Sequence, residues 1–295
     1  MPYHHENPVE LLDQLFEFFK ASDRYKEMTE KKNRCIRITY ADEFYMDILP
    51  ACRDLGACAT CIQVPDVAAL DWKGSNPIGY ASWFQKRSQY RMYKFAAAEA
   101  RDMQPLPALQ ATEEKEVLQL VVQLLKRWRD LFYSRSKYPA ISVVLTTLAA
   151  NLYNGEPSTA QALLNVLDGI VRCLDDAHAN GERLRVHNPV HQDEDFSERW
   201  NNRGDAYKQF DTGIRHFAER WRDIYMNEVD PRKAFAELFG GVVGTVIEKR
   251  ANRIQDLRMK SKLGVTTSGI VTSASSAASV ARIRPSTNHG NPAAT

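Results

Sequence analysis

Asp47 is the residue whose setting first suggests chemistry. It stands inside Phe44-Tyr-Met-Asp-Ile-Leu49, where strand alternation puts Phe44, Met46 and Ile48 on one face and Tyr45, Asp47 and Leu49 on the other. A carboxylate flanked by Met46, Ile48 and Leu49 is costly to bury unless a cation or several hydrogen bonds meet it. Asp47 is therefore either a metal ligand or one residue of a strand face open to solvent, an ordinary arrangement in antiparallel sheets. Asp42 and Glu43 form no second acidic site, since adjacent strand residues point to opposite faces. Asp66 and Asp71 fall in loop-like sequence after the strands.

The five cysteines are Cys35, Cys52, Cys58, Cys61 and Cys173. Cys58-Ala-Thr-Cys61 has the spacing of a zinc or redox pair, yet no second pair and no histidine at finger-like distance follows. Residues 57–64 read as a strand, on which positions three apart face opposite sides. Free thiols packed as small apolar side chains are the expectation. His187 and His191 are four apart, but Pro189 between them argues against a helical metal pair.

The elements around these residues divide the chain. Val9, Leu12, Leu15, Phe16 and Phe19 recur at helical spacing after Pro8, which predicts a helix over 8–20. Strands are expected at 34–40, 44–49 and 57–64, ended by Pro50 and Pro65. Residues 72–79 are dense in turn formers and lead into a helix expected from Tyr80 to about Arg101. Pro105-Leu-Pro107 is the clearest break, giving a first domain over 1–106. Beyond it, stripes at Val117–Phe132, Ile141–Leu152, Leu163–Leu174, Phe210–Tyr225 and Arg232–Ile247 predict five helices that must bury one another, a bundle over 107–260. From 261 to 295, Ser, Thr, Ala and Gly dominate, too little apolar surface to fold alone, and a flexible tail is expected.

Composition narrows the function classes. The 295 residues carry 39 Lys plus Arg against 37 Asp plus Glu, so no global basic excess argues for duplex nucleic acid as a partner. No window approaches the roughly 20 apolar residues of a membrane span, and the start Met-Pro-Tyr-His-His-Glu is no signal peptide. A cytosolic protein is expected.

Tyr40-Ala-Asp-Glu-Phe-Tyr-Met-Asp-Ile-Leu-Pro-Ala51 resembles the third-aspartate strand of the bacterial cGAS/DncV-like nucleotidyltransferases, the oligonucleotide cyclases of the antiphage system called CBASS. Ser75-Asn-Pro-Ile-Gly-Tyr-Ala-Ser-Trp-Phe84, Leu124-Leu-Lys-Arg-Trp-Arg-Asp130, Ile141-Ser-Val-Val-Leu-Thr-Thr-Leu-Ala-Ala150 and Asn188-Pro-Val-His-Gln-Asp-Glu-Asp-Phe-Ser-Glu-Arg-Trp200 resemble the same family in the same order, over roughly residues 8 to 230. The resemblance implies an α+β fold, a partial polymerase-β-like nucleotidyltransferase sheet followed by an α-helical bundle. It implies that Asp47 is catalytic and binds Mg²⁺, with Mn²⁺ as a substitute, and that ATP, GTP or other nucleoside triphosphates are the substrates of a cyclic di- or trinucleotide synthesis. By the same resemblance Lys126 reaches the donor triphosphate, Thr146 and Thr147 stand at a neighbouring hydroxyl position with Thr147 the better match, and CBASS accessory proteins are possible partners.

One departure weighs against full activity. The family's Gly-Ser turn and Asp-x-Asp pair precede the third-aspartate strand, and nothing before Asp47 matches either. The expectation is an N-terminally truncated cyclase, catalytically incomplete alone. The alternative is a degenerate nucleotide-binding or scaffold subunit.

Overall fold

The structure is a computed structural model that describes residues 7–40, 44–54, 56–90, 115–259, 263–265 and 271–273. Its chain divides into two compact units, Met1–Ala218 and Glu219–Thr295. The break expected at Pro105-Leu-Pro107 lies outside the described residues, as do Asp42 and Glu43.

The first unit opens with helix α1, Pro8–Lys20. Asn7 caps it, its Oδ1 accepting from the Val9 N–H at 3.0 Å, and Pro8 occupies the first turn, where no amide hydrogen bond is lost. The helix packs on strands from two three-stranded antiparallel sheets. The first sheet is β1 (Thr29–Lys31), β2 (Ile36–Tyr40) and β3 (Phe44–Ile48), in that order. The register sets Ile36 against Ile48, Arg37 against Asp47 and Ile38 against Met46. Leu12, Ile36 and Ile38 are fully or almost fully buried, each contributing about 2–3 kcal/mol of apolar burial. That core fixes which face of β2 turns inward, and so leaves Arg37 on the other face.

The second sheet is β4 (Cys52–Arg53), β5 (Ile62–Asp66) and β6 (Asp71–Ser75). Here the structure corrects two expectations. Residues 56–60 form turns rather than the first half of a strand, and Cys58 and Cys61 are disulfide-bonded rather than free. The turn brings their Cα atoms to 5.0 Å, which a strand would not allow. Asp71–Ser75, expected as loop, pairs along its length with β5. Helix α2 then runs Pro77–Ser88, starting ahead of the expected Tyr80 because the Asn76 Oδ1 accepts from the Gly79 N–H at 2.9 Å and Pro77 suits the first turn. The helix ends at Ser88 with Gln89 as its cap rather than running on toward Arg101, and residues 91–101 lie outside the described residues.

Helices α3 (Val117–Phe132), α4 (Ser142–Leu152), α5 (Thr159–Ala179) and α6 (Gly204–Tyr225) follow the predicted stripes. A hairpin of β7 (His187–Asn188) and β8 (His191–Asp195) and a 3₁₀ turn at Glu198–Trp200 separate α5 from α6. Trp128 of α3 stacks on Phe132 at 5.0 Å between centroids and on Phe217 of α6 at 4.9 Å. At Gly213 a Cβ would fall 2.6 Å from the Phe132 ring, so glycine there permits that aromatic cluster. The α+β class holds: small antiparallel sheets, then packed helices.

In the second unit, α7 (Pro231–Phe239) and α8 (Gly241–Met259) replace the single helix expected over 232–247. The split falls at Gly240, whose φ of 92° lies where side-chain-bearing residues are strained. Trp221 meets Phe235 and Phe239 edge-on at 5.7 and 6.2 Å. Of the expected tail, the described residues are β9 (Leu263–Val265) and β10 (Val271–Ser273), which pair antiparallel.

Candidate nucleotide-binding cleft

Asp47 sits on the partly open face of β3, directly across from Arg37. The guanidinium meets it in a fork, Nε to Oδ1 at 2.7 Å and Nη2 to Oδ2 at 2.8 Å. The other side of Arg37 covers the Tyr45 ring at 3.8 Å. Hydrogen bonds from Arg37 hold the Asp47 carboxyl below the usual carboxylate range, against the opposing effect of partial burial, and the Cys35 thiol adds a further bond. Burial and the neighbouring Asp47 charge push that thiol up.

The other expected site residues occupy the helical layer. Lys126 is exposed on α3 with no ion-pair partner among the described residues. Thr147 is fully buried; its hydroxyl donates to the Val143 carbonyl at 2.8 Å and meets the Tyr80 hydroxyl at 2.9 Å. Thr146 donates to the Ser142 carbonyl at 3.0 Å. Both threonines thus bond back into their own helix, and Thr147 also ties α2 to α4. Burial pushes the Tyr80 hydroxyl up, partly offset by the Thr147 bond.

A cavity of about 710 Å³ lies where the strand layer faces the helices, within the roughly 300–1,000 Å³ of small-molecule sites. Asn33 and Arg34 line it from the β1–β2 turn, Lys137 to Ile141 from the approach to α4, and Phe196 to Arg203 from the 3₁₀ segment. A recess of about 70 Å³ adjoins it, sharing Arg34, Lys73, Ile141, Phe196, Glu198 and Arg199. Asp47 connects to the cleft wall through the chain: it bonds Cys35, which follows Arg34 directly, and Arg37, two residues further on. Neither Asp47, Lys126, Thr146 nor Thr147 lines these two cavities.

One wall of the cleft is set by a chain of ion pairs. Asp66, almost fully buried, accepts from Asn33 at 2.9 Å, from Arg34 at 2.7 Å and from the Ala69 N–H at 3.0 Å. Burial would raise its carboxyl, but those hydrogen bonds prevail and hold it low. Arg34 also reaches Glu198 at 2.6 Å, and Lys73 meets the other Glu198 oxygen at 2.6 Å. Glu194 accepts from Ser75 and Asn188, fastening the hairpin to β6.

With those acids satisfied, Lys137, Arg199 and Arg203 remain without carboxylate partners among the described residues. Arg203 stacks on the Tyr138 ring at 3.8 Å. The N-terminus of α4 also lies at this wall, and its cap residue Ile141 supplies no side-chain acceptor. Three cations and a helix N-terminus around a roomy cavity suit a polyanion such as a triphosphate. Sequence reasoning missed Lys137, Tyr138, Arg199 and Arg203 because they fall in irregular segments where no periodicity singles them out.

The metal set implied by the resemblance does not fit the described residues. Both Asp47 oxygens are held by Arg37, and no group of three or more His, Cys, Asp or Glu side chains able to hold a metal occurs among the described residues. A two-metal nucleotidyl-transfer site needs several carboxylate oxygens converging on the ions.

A small strand layer thus stands across a cationic cleft from packed helices. Residues 1–88 match the Second Messenger Oligonucleotide or Dinucleotide Synthetase domain, SMODS, and the chain as a whole is similar to cyclic dinucleotide synthases and to a solved CD-NTase. It is 24% identical over 276 residues to a c-di-GMP synthase of Roseivirga ehrenbergii, an alignment covering 90% of this chain and 70% of that protein. It is 26% identical over 192 residues to the cyclic dinucleotide synthase CdnG of Bradyrhizobium diazoefficiens, covering 58% of this chain and 45% of that protein. The structure of the Bradyrhizobium diazoefficiens CD-NTase CdnG in complex with GTP shares the fold with a TM-score of 0.65 at 24% identity, over 83% of this chain and 74% of that one. Among the described residues no helix is long and apolar enough to cross a membrane.

Proposed function

We infer that this chain binds nucleoside triphosphates in the cleft between its strand and helical layers, as part of a nucleotidyltransferase that makes a cyclic dinucleotide second messenger. The observation that carries this reading is the 710 Å³ cavity with Lys137, Arg199 and Arg203 free of carboxylate partners. The likeness to a c-di-GMP synthase over 90% of the chain supports a cyclic dinucleotide as the product, and GTP as a substrate is supported by its presence in the CdnG complex. By the resemblance Asp47 would serve the acceptor hydroxyl and exposed Lys126 would reach the donor triphosphate from outside the two cavities, which neither residue lines. Thr147, whose hydroxyl is occupied, would act by seating Tyr80, with Thr146 beside it. A cytosolic role in CBASS antiphage defence, with accessory proteins of that system, belongs to the same proposal.

By the resemblance, Mg²⁺ or Mn²⁺ chemistry needs an Asp-x-Asp pair ahead of the Asp47 strand, and no such pair precedes Asp47 in this sequence. The chain by itself is therefore proposed to bind nucleotide and to turn it over little or not at all. The Arg37 fork on Asp47 favours the second reading, a nucleotide-binding subunit without catalysis, as far as this chain alone is concerned. Calorimetric titration with ATP and GTP, with and without Mg²⁺, tests the proposal. Binding weakened by Lys137→Ala or Arg203→Ala and little changed by Mg²⁺ is expected. Absence of any nucleotide binding would remove the reading, and Mg²⁺-dependent product abolished by Asp47→Asn would remove the claim of incompleteness.

A further inference from the structure

The small recess adjoining the cleft holds two opposite charges that do not pair with each other. Asp193, on β8, and Arg199, in the 3₁₀ segment, both line it. Neither side chain has a hydrogen-bond or ion-pair partner among the described residues, although the acids beside them do: Glu194 holds Ser75 and Asn188, Asp195 holds Ser197, and Glu198 holds Arg34 and Lys73. Asp193 is thus the recess carboxylate left without a partner, and Arg199 the recess cation left without one. Phe196, edge-on to Tyr80 at 5.7 Å, and Ile141 add apolar surface to the same lining.

A flat ligand with acceptors on one edge and donors on another would satisfy both charges at once. Guanine has that pattern: O6 and N7 accept from an arginine, and N1–H and the 2-amino group donate to a carboxylate. Adenine offers the carboxylate an acceptor, N1, beside a single amino donor, so its pairing with Asp193 is both weaker and partly repulsive. Resting on the nucleotide-binding reading above, we propose that Asp193 and Arg199 form a guanine-selective base subsite, with Phe196 and Ile141 as its apolar lining and the phosphates directed to Lys137 and Arg203.

Both charged residues are exposed, so their substitution leaves the fold intact and reads the site. The purified chain is titrated with GTP, ITP, ATP and inorganic tripolyphosphate, as wild type, Asp193→Asn and Arg199→Ala. GTP is expected to bind roughly tenfold to a hundredfold more tightly than ATP, the range of a good bidentate base contact. ITP, which lacks the 2-amino group, falls between them. Asp193→Asn should weaken GTP and ITP, which both present N1–H, leave tripolyphosphate unchanged and leave ATP the same or tighter, and Arg199→Ala should weaken GTP and ITP together. Equal binding of GTP and ATP, or a GTP affinity indifferent to Asp193, would overturn the guanine subsite while nucleotide binding stands. Failure of tripolyphosphate, ATP and GTP alike to bind would overturn the nucleotide reading and the subsite with it.

Discussion

Arg37 and Asp47 face each other across β2 and β3 and are joined by two hydrogen bonds of 2.7 and 2.8 Å. The pair satisfies a carboxylate that would otherwise need a metal or water. Because Arg37 lowers the folded-state value of Asp47, the pair contributes stability above the unfolded carboxylate range, about pH 4, and loses it as pH falls through the lower folded value. The side chain is 38% exposed, so solvent screening limits the effect to about 0.5–1 kcal/mol. Urea denaturation of wild type and Asp47→Asn should differ by that amount at pH 7 and converge as the pH falls below the unfolded carboxylate range. Equal stability at pH 7 would show the pair to be energetically idle.

Asp66 carries more. Its side chain is buried and binds Asn33, Arg34 and Ala69 together. Asp66→Ala leaves an arginine with one of its two acidic partners and an amide and a backbone N–H with none. A loss of about 3 kcal/mol is expected, measured as a lowered urea midpoint. The same variant should weaken nucleotide binding, since Asn33, Arg34 and Ala69 line the cleft.

The Cys58–Cys61 disulfide closes a very short loop, so the chain-entropy contribution is only about 1–2 kcal/mol. Asn76, which caps α2, donates to the Cys58 sulfur at 3.5 Å. Reductant should therefore lower the melting temperature of the wild type by a few degrees and leave a Cys58→Ala/Cys61→Ala variant unaffected. An equal response of both proteins would place the reductant's effect elsewhere.

Trp128 stacks with Phe132 and Phe217 in the helical core. Trp128→Ala is expected to cost about 3–5 kcal/mol, and Gly213→Ala to destabilise through the 2.6 Å approach of Phe132. Thermal unfolding of both variants checks this. A Gly213→Ala protein as stable as wild type would mean that the ring can withdraw at no cost.

The sequence was most legible where one periodicity ruled a long segment. Helices α1 and α3 match their stripes because their apolar residues recur at helical spacing and Pro8 marks the first turn of α1. The alternation around Asp47 likewise set it on the face opposite the buried Ile36 and Ile38 of β2, although Phe44 and Met46 of β3 itself are exposed. Short elements were illegible for a physical reason: Asp71–Ser75 becomes a strand through pairing with β5, a nonlocal partner that its turn-forming composition does not announce. Gly240 divides a helix that the apolar pattern carries straight through. The cleft followed the same rule. Asp47 and Lys126, singled out by resemblance, line neither cavity, whereas Lys137, Tyr138, Asp193, Arg199 and Arg203 are brought to the cavities by tertiary folding of turns and a hairpin.

The most direct test of the cleft is the affinity of GTP for the wild-type chain and for a Lys137→Ala/Arg203→Ala variant, with circular dichroism to verify the fold of each. Binding that falls at least tenfold in the variant at moderate salt, and falls further as salt is raised, is the expected result. Unchanged GTP affinity in a folded double variant would contradict the assignment of this cavity as the nucleotide site.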